Sequence, residues 1–207
     1  MVCMALTREQ VEETALGILT RYGLGDLSMR RLARELDVQA GALYWHVKSK
    51  QELLVSVAAR LIHDLGDGPE PHDRAAAREA IEALVFGLRH ALLPVPDSAE
   101  VVQVARTLQP TALAPLNRLR TLLEAAGLTP MHAEWARHLL LNHVLGSVST
   151  AQEARRLAVF APGTEADAPT KVGPSTVGGH VELGDDAFAW GLAVILAGMP
   201  APRAEES

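Results

Sequence analysis

The stretch from Ser28 to Lys50 combines basic, amide and very small side chains in an order that suits contact with DNA. Ser28 can cap a short helix, and Asp37 marks a tight turn after it, because aspartate accepts a left-handed backbone better than most residues. Gln39 can form paired hydrogen bonds with an adenine edge, and the small residues at 40–42 let a helix lie deep in a groove. This is the chemistry and the spacing of a helix-turn-helix, whose second helix enters the major groove.

The candidate DNA contacts divide into side chains that face base edges and side chains that meet phosphates. The second helix is predicted over about 39–46, and its first four residues face the bases, where Arg30 of the preceding helix could also reach a guanine. Residues 44–50 supply aromatic and basic groups for phosphate contacts, with the role of His46 left open. For Trp45 we favour packing against the first helix. The predicted DNA-binding residues are Ser28, Met29, Arg30, Gln39, Ala40, Gly41, Ala42, Tyr44, His46, Lys48 and Lys50.

Two further helices must position this unit. Thr7 and Gln10 have the spacing of a capping box, so a first helix begins there. Ser49 and Glu52 repeat that spacing and begin a fourth helix, which reaches about Leu65. The apolar residues of the unit recur at one-face helical spacing and predict a shared three-helix core. Its members are Ile18, Leu19, Leu32, Leu36, Val38, Leu43 and Val47.

The charge of the chain is compatible with a DNA partner only because of its distribution. The net charge is −6, which by itself disfavours nucleic acid. Within 28–50, however, five basic residues stand against two acidic ones. DNA responds to local phosphate contacts rather than to the charge of the whole chain. The sequence therefore predicts one basic surface on an acidic protein.

The rest of the chain is also helical in pattern. Thr129 and Pro130 give the strongest start signal, a capping hydroxyl followed by a proline whose missing N–H costs nothing there. Residues 161–183 are rich in Gly, Pro, Thr and Ser and predict a long mobile loop. The predicted helices lie near 74–93, 98–107, 112–126, 130–158 and 184–198.

The resulting prediction is an all-α protein of two domains. Residues 1–50 form an N-terminal three-helix helix-turn-helix domain, with the fourth helix as a linker to about 65. Residues 66–200 form a C-terminal helical domain, and residues 201–207 a disordered tail. No run of about 18 apolar residues or cationic leader is present, so we expect a cytoplasmic protein without membrane contact. The one cysteine, Cys3, cannot form an internal disulfide.

Residues 7–62 resemble the DNA-binding domain of the TetR family of repressors. The run Leu43-Tyr44-Trp45-His46-Val47-Lys48-Ser49-Lys50 carries the resemblance, together with Arg30, Ala33 and Leu53-Leu54 at matching positions. The run is most similar to the tetracycline-responsive branch, and residues 188–199 resemble the last helix of that branch. The resemblance implies a homodimer that binds a palindromic double-stranded operator until a small molecule releases it.

The resemblance also implies roles for the C-terminal helices. Helices 130–158 and 184–198 should form the dimer core, and the C-terminal helices together should enclose an effector pocket. Small residues on these two helices would allow close helix contact, with ordinary packing inside one chain as the alternative. They are Ala136, Gly146, Ser147, Gly191, Ala193 and Gly198.

The metal–drug site of the tetracycline-responsive branch is mostly missing. Its asparagine and phenylalanine align with Leu84 and Leu88, its metal-binding histidine with Asn142 (or, one residue on, His143), and a nearby acidic ligand with Thr150. We therefore expect a fairly apolar effector, with no metal and no cofactor. The predicted pocket residues are Leu84, Leu88, Leu119, Leu139, Asn142 and His143.

Other functions fit the sequence less well. The chain has no nucleophile elbow, no phosphate-cradling glycine loop and no Glu-x-x-His pair, so a small helical-bundle enzyme is disfavoured. Its histidines lack the spacing of a zinc site. A pure dimerisation module would leave residues 28–50 unexplained. A regulator that activates, or that senses nothing, remains open, because the sign of regulation depends on operator placement.

Overall fold

Nine α-helices form the part of the chain that this computed structural model describes, residues 6–160, 176–177, 180–181 and 184–199. The all-helical class is confirmed. Two short antiparallel strands, β1 and β2, lie within the segment predicted as a loop, with Thr176 opposite Val181. The rest of that loop and the predicted tail lie outside the described residues. The helices are α1 (Arg8–Tyr22), α2 (Met29–Glu35), α3 (Ala40–Leu43), α4 (Lys50–Leu61), α5 (Arg74–Leu92), α6 (Ser98–Leu108), α7 (Ala114–Ala125), α8 (Pro130–Phe160) and α9 (Asp185–Ala197), and the strands are β1 (Thr176–Val177) and β2 (His180–Val181).

The capping side chains begin the helices largely as predicted. Thr7 and Gln10 cap α1 reciprocally, and the Ser28 hydroxyl accepts from the Arg31 amide at 3.2 Å. At α4 the capping box is only half formed, because the Glu52 side chain accepts from the Lys48 amide rather than from the amide of the cap residue. Local hydrogen bonds of this kind satisfy the free amides of the first turn.

The N-terminal helices enclose the predicted core. Leu32, Leu43 and Val47 are fully buried between α1 and α4, and each apolar side chain of this size removed from water contributes about 1.5–3 kcal/mol. Leu36 and Val38 are half-buried at the edge of this core. The same buried cluster continues through α4 into α6, so the DNA-binding unit and the C-terminal helices share one apolar interior.

Asp97 makes the polar connection between the two parts of the fold. It lies in the left-handed backbone region, with φ 59°, just before α6. Its Oδ2 accepts from the Leu24 amide at 2.8 Å, and its Oδ1 pairs with Arg156 of α8. Among the described residues, no other hydrogen bond joins residues 6–62 to residues 74–199.

A buried cluster fixes α9 against α5 and α8. Arg89 is 2% exposed, donates to the Ser147 hydroxyl at 3.0 Å and pairs with Asp185 at the start of α9. His143 stacks on Phe188, with ring centroids 4.6 Å apart. The α8–α9 contact within one chain is therefore closely packed and partly aromatic.

The six small residues predicted to allow close helix contact differ in burial. Ala136 and Ser147 are buried inside the chain, and a Cβ on Gly191 would lie 2.5 Å from the His143 ring. For these three the alternative of packing within one chain is correct. Gly146 and Ala193 are exposed, as is Gly198. No helix among the described residues is both long enough and apolar enough to cross a membrane.

Candidate nucleic-acid interface

The turn between α2 and α3 has the geometry that the sequence predicts. Asp37 is left-handed, with φ 52°. The Val38 amide donates to the Ala33 carbonyl at 3.0 Å, and the Asp37 amide donates to the Arg34 carbonyl at 3.3 Å. These two bonds form the helix-ending motif that usually carries glycine at its left-handed position. The turn directs α3 away from α2 and exposes its N-terminal face.

The second helix of the helix-turn-helix is shorter than predicted. Only Ala40–Leu43 is regular α-helix, and the chain then continues to Val47 through turns closed by short-range bonds, such as His46 amide to Leu43 carbonyl at 2.9 Å. Gln39 lies just before the helix, and its side chain forms no capping bond. Its amide group is therefore exposed and available to a base edge.

The predicted DNA contacts are all exposed or half-buried, and we call this set the recognition surface. Leu43 and Val47, which lie between some of them in the sequence, are fully buried. Tyr44 is 53% exposed and Lys48 and Lys50 are exposed. The recognition surface consists of Ser28, Met29, Arg30, Gln39, Ala40, Gly41, Ala42, Tyr44, His46, Lys48 and Lys50.

The expectation that Trp45 packs against the first helix is wrong. Trp45 is 90% exposed and does not pack against α1. The reason is geometric: Leu43 and Val47 lie four residues apart and occupy the inward positions, so the side chain midway between them points outward. The spacing of Leu43 and Val47 is visible in the sequence, but a large aromatic side chain such as that of Trp45 is usually mostly buried. Trp45 extends the recognition surface with a large aromatic group.

Arg30 and Arg31 are neighbours in the sequence, but only one of them is engaged by other side chains of the chain. Arg31 pairs with Asp26, and its guanidinium carbon lies 3.9 Å from the ring centroid of Tyr22. Arg30 is exposed and forms no ion pair within the described residues. Of these two neighbours, Arg30 therefore has the guanidinium that is not engaged within the described part of the chain.

A charged cluster lies behind residues 44–50. Arg8 donates to Glu12 at 2.8 Å and to Glu52 at 3.1 Å. The hydrogen bond to Glu12 is the main reason that the pKa of Arg8 is raised. The hydrogen bond from the Lys48 amide is the main reason that the pKa of Glu52 is lowered. Both groups are therefore charged at neutral pH.

The six predicted pocket residues differ in their burial and in their contacts. Leu84, Leu88 and Leu119 are buried in the core. Leu139 is 52% exposed, and Asn142, also exposed, accepts from Arg106 at 2.9 Å. His143, the sixth, is the half-buried residue stacked on Phe188.

A cleft of about 550 Å³ lies elsewhere, between α4 and the end of α6, and none of those six residues lines it. Arg8 and Glu52 form part of one wall, and Leu108 and Gln109 part of the other. No three His, Cys, Asp or Glu side chains among the described residues are placed to hold a metal ion.

This geometry defines a helix-turn-helix protein with a basic recognition surface, and comparisons with known proteins give its family. The model of bacterial regulatory proteins of the tetR family matches residues 13–57, and that of the tetracyclin repressor-like C-terminal domain matches residues 70–202. The chain belongs to the TetR family of bacterial regulatory proteins. It is a DNA-binding transcriptional regulator.

Relatives and solved structures match nearly the whole chain. Tetracycline repressor protein class G of Vibrio anguillarum is 29% identical over 208 residues, with 96% of each chain covered. BioQ, solved with its natural double-stranded DNA operator, is 29% identical with a TM-score of 0.72, covering 95% of this chain and 99% of its own. ActR of Streptomyces coelicolor, solved in complex with (S)-DNPA, is 28% identical with a TM-score of 0.71, covering 94% and 97%.

Proposed function

We propose that this regulator is a homodimeric repressor that binds a palindromic operator and is released by a small molecule. The recognition surface carries the proposal, because none of its eleven predicted contacts is buried, whereas Leu43 and Val47 of the same helix-turn-helix are fully buried. The structure of BioQ with its operator supports DNA binding by a chain of this architecture. In this proposal residues 1–50 bind DNA, α4 links them to the body, and residues 66–200 sense and dimerise.

The two groups of contacts have separate roles. Gln39 and Arg30 read base edges, because amide and guanidinium groups can form paired hydrogen bonds with adenine and guanine. Tyr44, Lys48 and Lys50 meet phosphates, which set the affinity and its dependence on salt. Since every such contact displaces counterions, the loss of one lysine affects all DNA sequences alike.

An exposed apolar face on α8 and α9 supports the homodimer. Trp135 and Leu139 lie one turn apart on α8, and Trp190 and Val194 lie one turn apart on α9. Each of the four is at least half exposed in the single chain. Large apolar side chains exposed on two helices favour a protein interface, and the exposed Gly146 and Ala193 of the same helices would allow close helix contact.

The effector is proposed to be fairly apolar and to bind without a metal. Leucine occupies positions 84 and 88, where polar and aromatic groups would be needed for a metal–drug complex, and both side chains lie in an apolar interior. ActR, which was solved with a small molecule, supports a sensing role for such a C-terminal domain. Release follows if the effector binds more tightly to chains whose recognition surfaces are wrongly spaced for DNA.

The names of the relatives favour a regulator over the enzyme considered from the sequence. A location in the cytoplasm, where the operator is, belongs to the same proposal.

The proposal is tested by anisotropy binding of the full-length protein to the DNA upstream of its own gene, at physiological salt with excess non-specific competitor. Saturable binding of two chains per duplex is expected. Gln39→Ala and Arg30→Ala should change base preference, and Lys50→Ala should weaken binding to every duplex and reduce the salt slope by about 1. A change of base preference in Lys50→Ala alone would contradict the proposed placement of α3.

The effector claim has its own test in the same assay. Release of DNA by low micromolar tetracycline with magnesium, and no release by the drug alone, would overturn the metal-free, apolar effector. Apolar candidate compounds are then screened by the same loss of anisotropy.

A further inference from the structure

Arg8 and Glu52 form hydrogen bonds with the main chain on the two sides of Val47. This main chain belongs to the segment that carries the proposed phosphate contacts. Arg8 Nη1 donates to the His46 carbonyl at 3.4 Å, and the Lys48 amide donates to Glu52 Oε2 at 2.9 Å. The two side chains also bond to each other, with 3.1 Å between Arg8 Nη1 and Glu52 Oε1. We call this pair the Arg8–Glu52 bracket.

The segment that the bracket holds has little regular structure of its own. Residues 44–49 lie between the end of α3 and the start of α4. Val47 is buried, but Tyr44 and Lys48 on either side of it are exposed. Without further support, an irregular segment of this length samples several backbone conformations. The bracket supplies that support from α1 and α4.

Arg8 does not have the free donors expected of a phosphate contact. A guanidinium carries five N–H groups, and Arg8 uses four of them within the chain. Besides the two bonds of the bracket, Nε donates to Glu12 at 2.8 Å and Nη2 donates to Ser56 at 2.9 Å. An arginine committed in this way holds protein groups in position and leaves little to offer DNA.

We propose that the Arg8–Glu52 bracket is a positioning device for DNA binding, which fixes residues 44–50 before DNA arrives. Fixing a binding segment in advance removes the ordering penalty from the association step. Arg8 and Glu52 are positioning residues and do not contact DNA themselves. This inference rests on the proposed role of residues 44–50 as phosphate contacts.

The direction in which one substitution changes the affinity for DNA distinguishes a positioning role from a purely electrostatic one. Glu52→Ala removes a negative charge beside a surface that meets phosphates, so charge alone predicts tighter DNA binding. The bracket predicts the opposite, because the Lys48 amide loses its acceptor and Arg8 loses a partner. We expect binding about tenfold weaker, the equivalent of one hydrogen bond to a charged group.

The experiment measures operator affinity of the full-length dimer over a salt series. The probe is the duplex from upstream of the gene, or a duplex selected from a random-sequence library if that one does not bind. The variants are Glu52→Ala, Arg8→Ala and the control Glu13→Ala, which removes an exposed charge of α1 that has no partner among the described ion pairs. The bracket predicts weaker binding by the first two variants with an unchanged salt slope, and no weakening by the control.

Each other outcome overturns the inference. If Glu52→Ala binds as tightly as the wild type or more tightly, the bracket does not position the segment. If Arg8→Ala lowers the salt slope by about 1, Arg8 is a phosphate contact. If the wild type binds no duplex from either source, the proposed function fails, and the inference fails with it.

Hydrogen exchange in the DNA-free protein gives a readout that does not depend on affinity. The Lys48 amide should be protected in the wild type and in Glu13→Ala, and should exchange faster in Glu52→Ala, while the amides of the α1 interior keep their protection. Equal exchange at Lys48 in all three proteins would also overturn the bracket, and loss of protection throughout α1 would show that Glu52 acts on the fold as a whole instead.

Discussion

Replacing Asp97 by alanine should loosen the connection between the DNA-binding unit and the body. The substitution removes the acceptor of the Leu24 amide, 2.8 Å away, and the ionic partner of Arg156. An amide left without a partner in a partly buried place costs about 1–3 kcal/mol. The exposed ion pair adds at most about 1 kcal/mol. The loss of both interactions should therefore lower the free energy of unfolding by about 1–4 kcal/mol.

Thermal unfolding followed by circular dichroism measures this effect. For a chain of this length each 1 kcal/mol shifts Tm by about 2–4 °C, so the expected decrease is about 2–16 °C. All proteins must be compared at one concentration, because dimer formation makes Tm depend on it. Asp67→Ala, which removes an exposed aspartate with no ion pair in the described part of the chain, is the control and should leave Tm unchanged.

The pH dependence of the Tm difference shows whether the Asp97 carboxylate causes the loss of stability. Burial raises the pKa of Asp97, but the hydrogen bond from the Leu24 amide and the pairing with Arg156 outweigh it, so the pKa is lowered. A lowered pKa in the folded state means that the stabilisation is complete above the unfolded pKa of about 3.9 and is lost as the pH falls through the folded value. The difference in Tm between wild type and Asp97→Ala should be constant from pH 8 to 5 and shrink below about pH 4. A difference that matches the Asp67→Ala control, or that persists unchanged in acid, would refute this reasoning.

Three further predictions concern single positions. Trp45→Ala should weaken operator binding in the anisotropy assay with no loss of Tm, because the side chain is 90% exposed, and a lower Tm would contradict that placement. Asp37→Val should lower the free energy of unfolding in urea by about 1–2 kcal/mol, since a branched side chain is strained at φ 52°, whereas Asp37→Gly should not lower it. Gly191→Ala should destabilise the protein by about 1–3 kcal/mol, because the new methyl group would lie 2.5 Å from the His143 ring. Gly17→Ala, where a new Cβ would meet no atom within 4 Å, is the control that should not.

The features of the fold that depend on residues close together in the chain could be predicted from the amino-acid sequence. The Thr7 cap, the Asp37 turn and the proline start of α8 follow from interactions within four residues, and each lies where the sequence places it. The inward positions of Leu43 and Val47 were also predictable from their spacing, but the outward position of Trp45 between them was predicted wrongly.

Features that depend on distant contacts could not be predicted. The Glu52 side chain departs from the predicted capping box because it meets Arg8, forty-four positions earlier in the chain. Asp97 has no local signal for its role, since its partner Leu24 lies seventy-three positions away. Gly191 and Ser147 appeared suited to a dimer contact, and only the packing of His143 and Arg89 assigns them to the interior of one chain.

Hydroxyl-radical footprinting of the full-length protein on the DNA upstream of its gene tests the central claim most directly, that two recognition surfaces in a dimer bind one operator. Two protected patches are predicted, related by a dyad and centred about one helical turn of 10–10.5 base pairs apart or a multiple of it. Both patches should weaken together in Lys50→Ala. A single patch, or protection without a preferred position at physiological salt, would contradict the account.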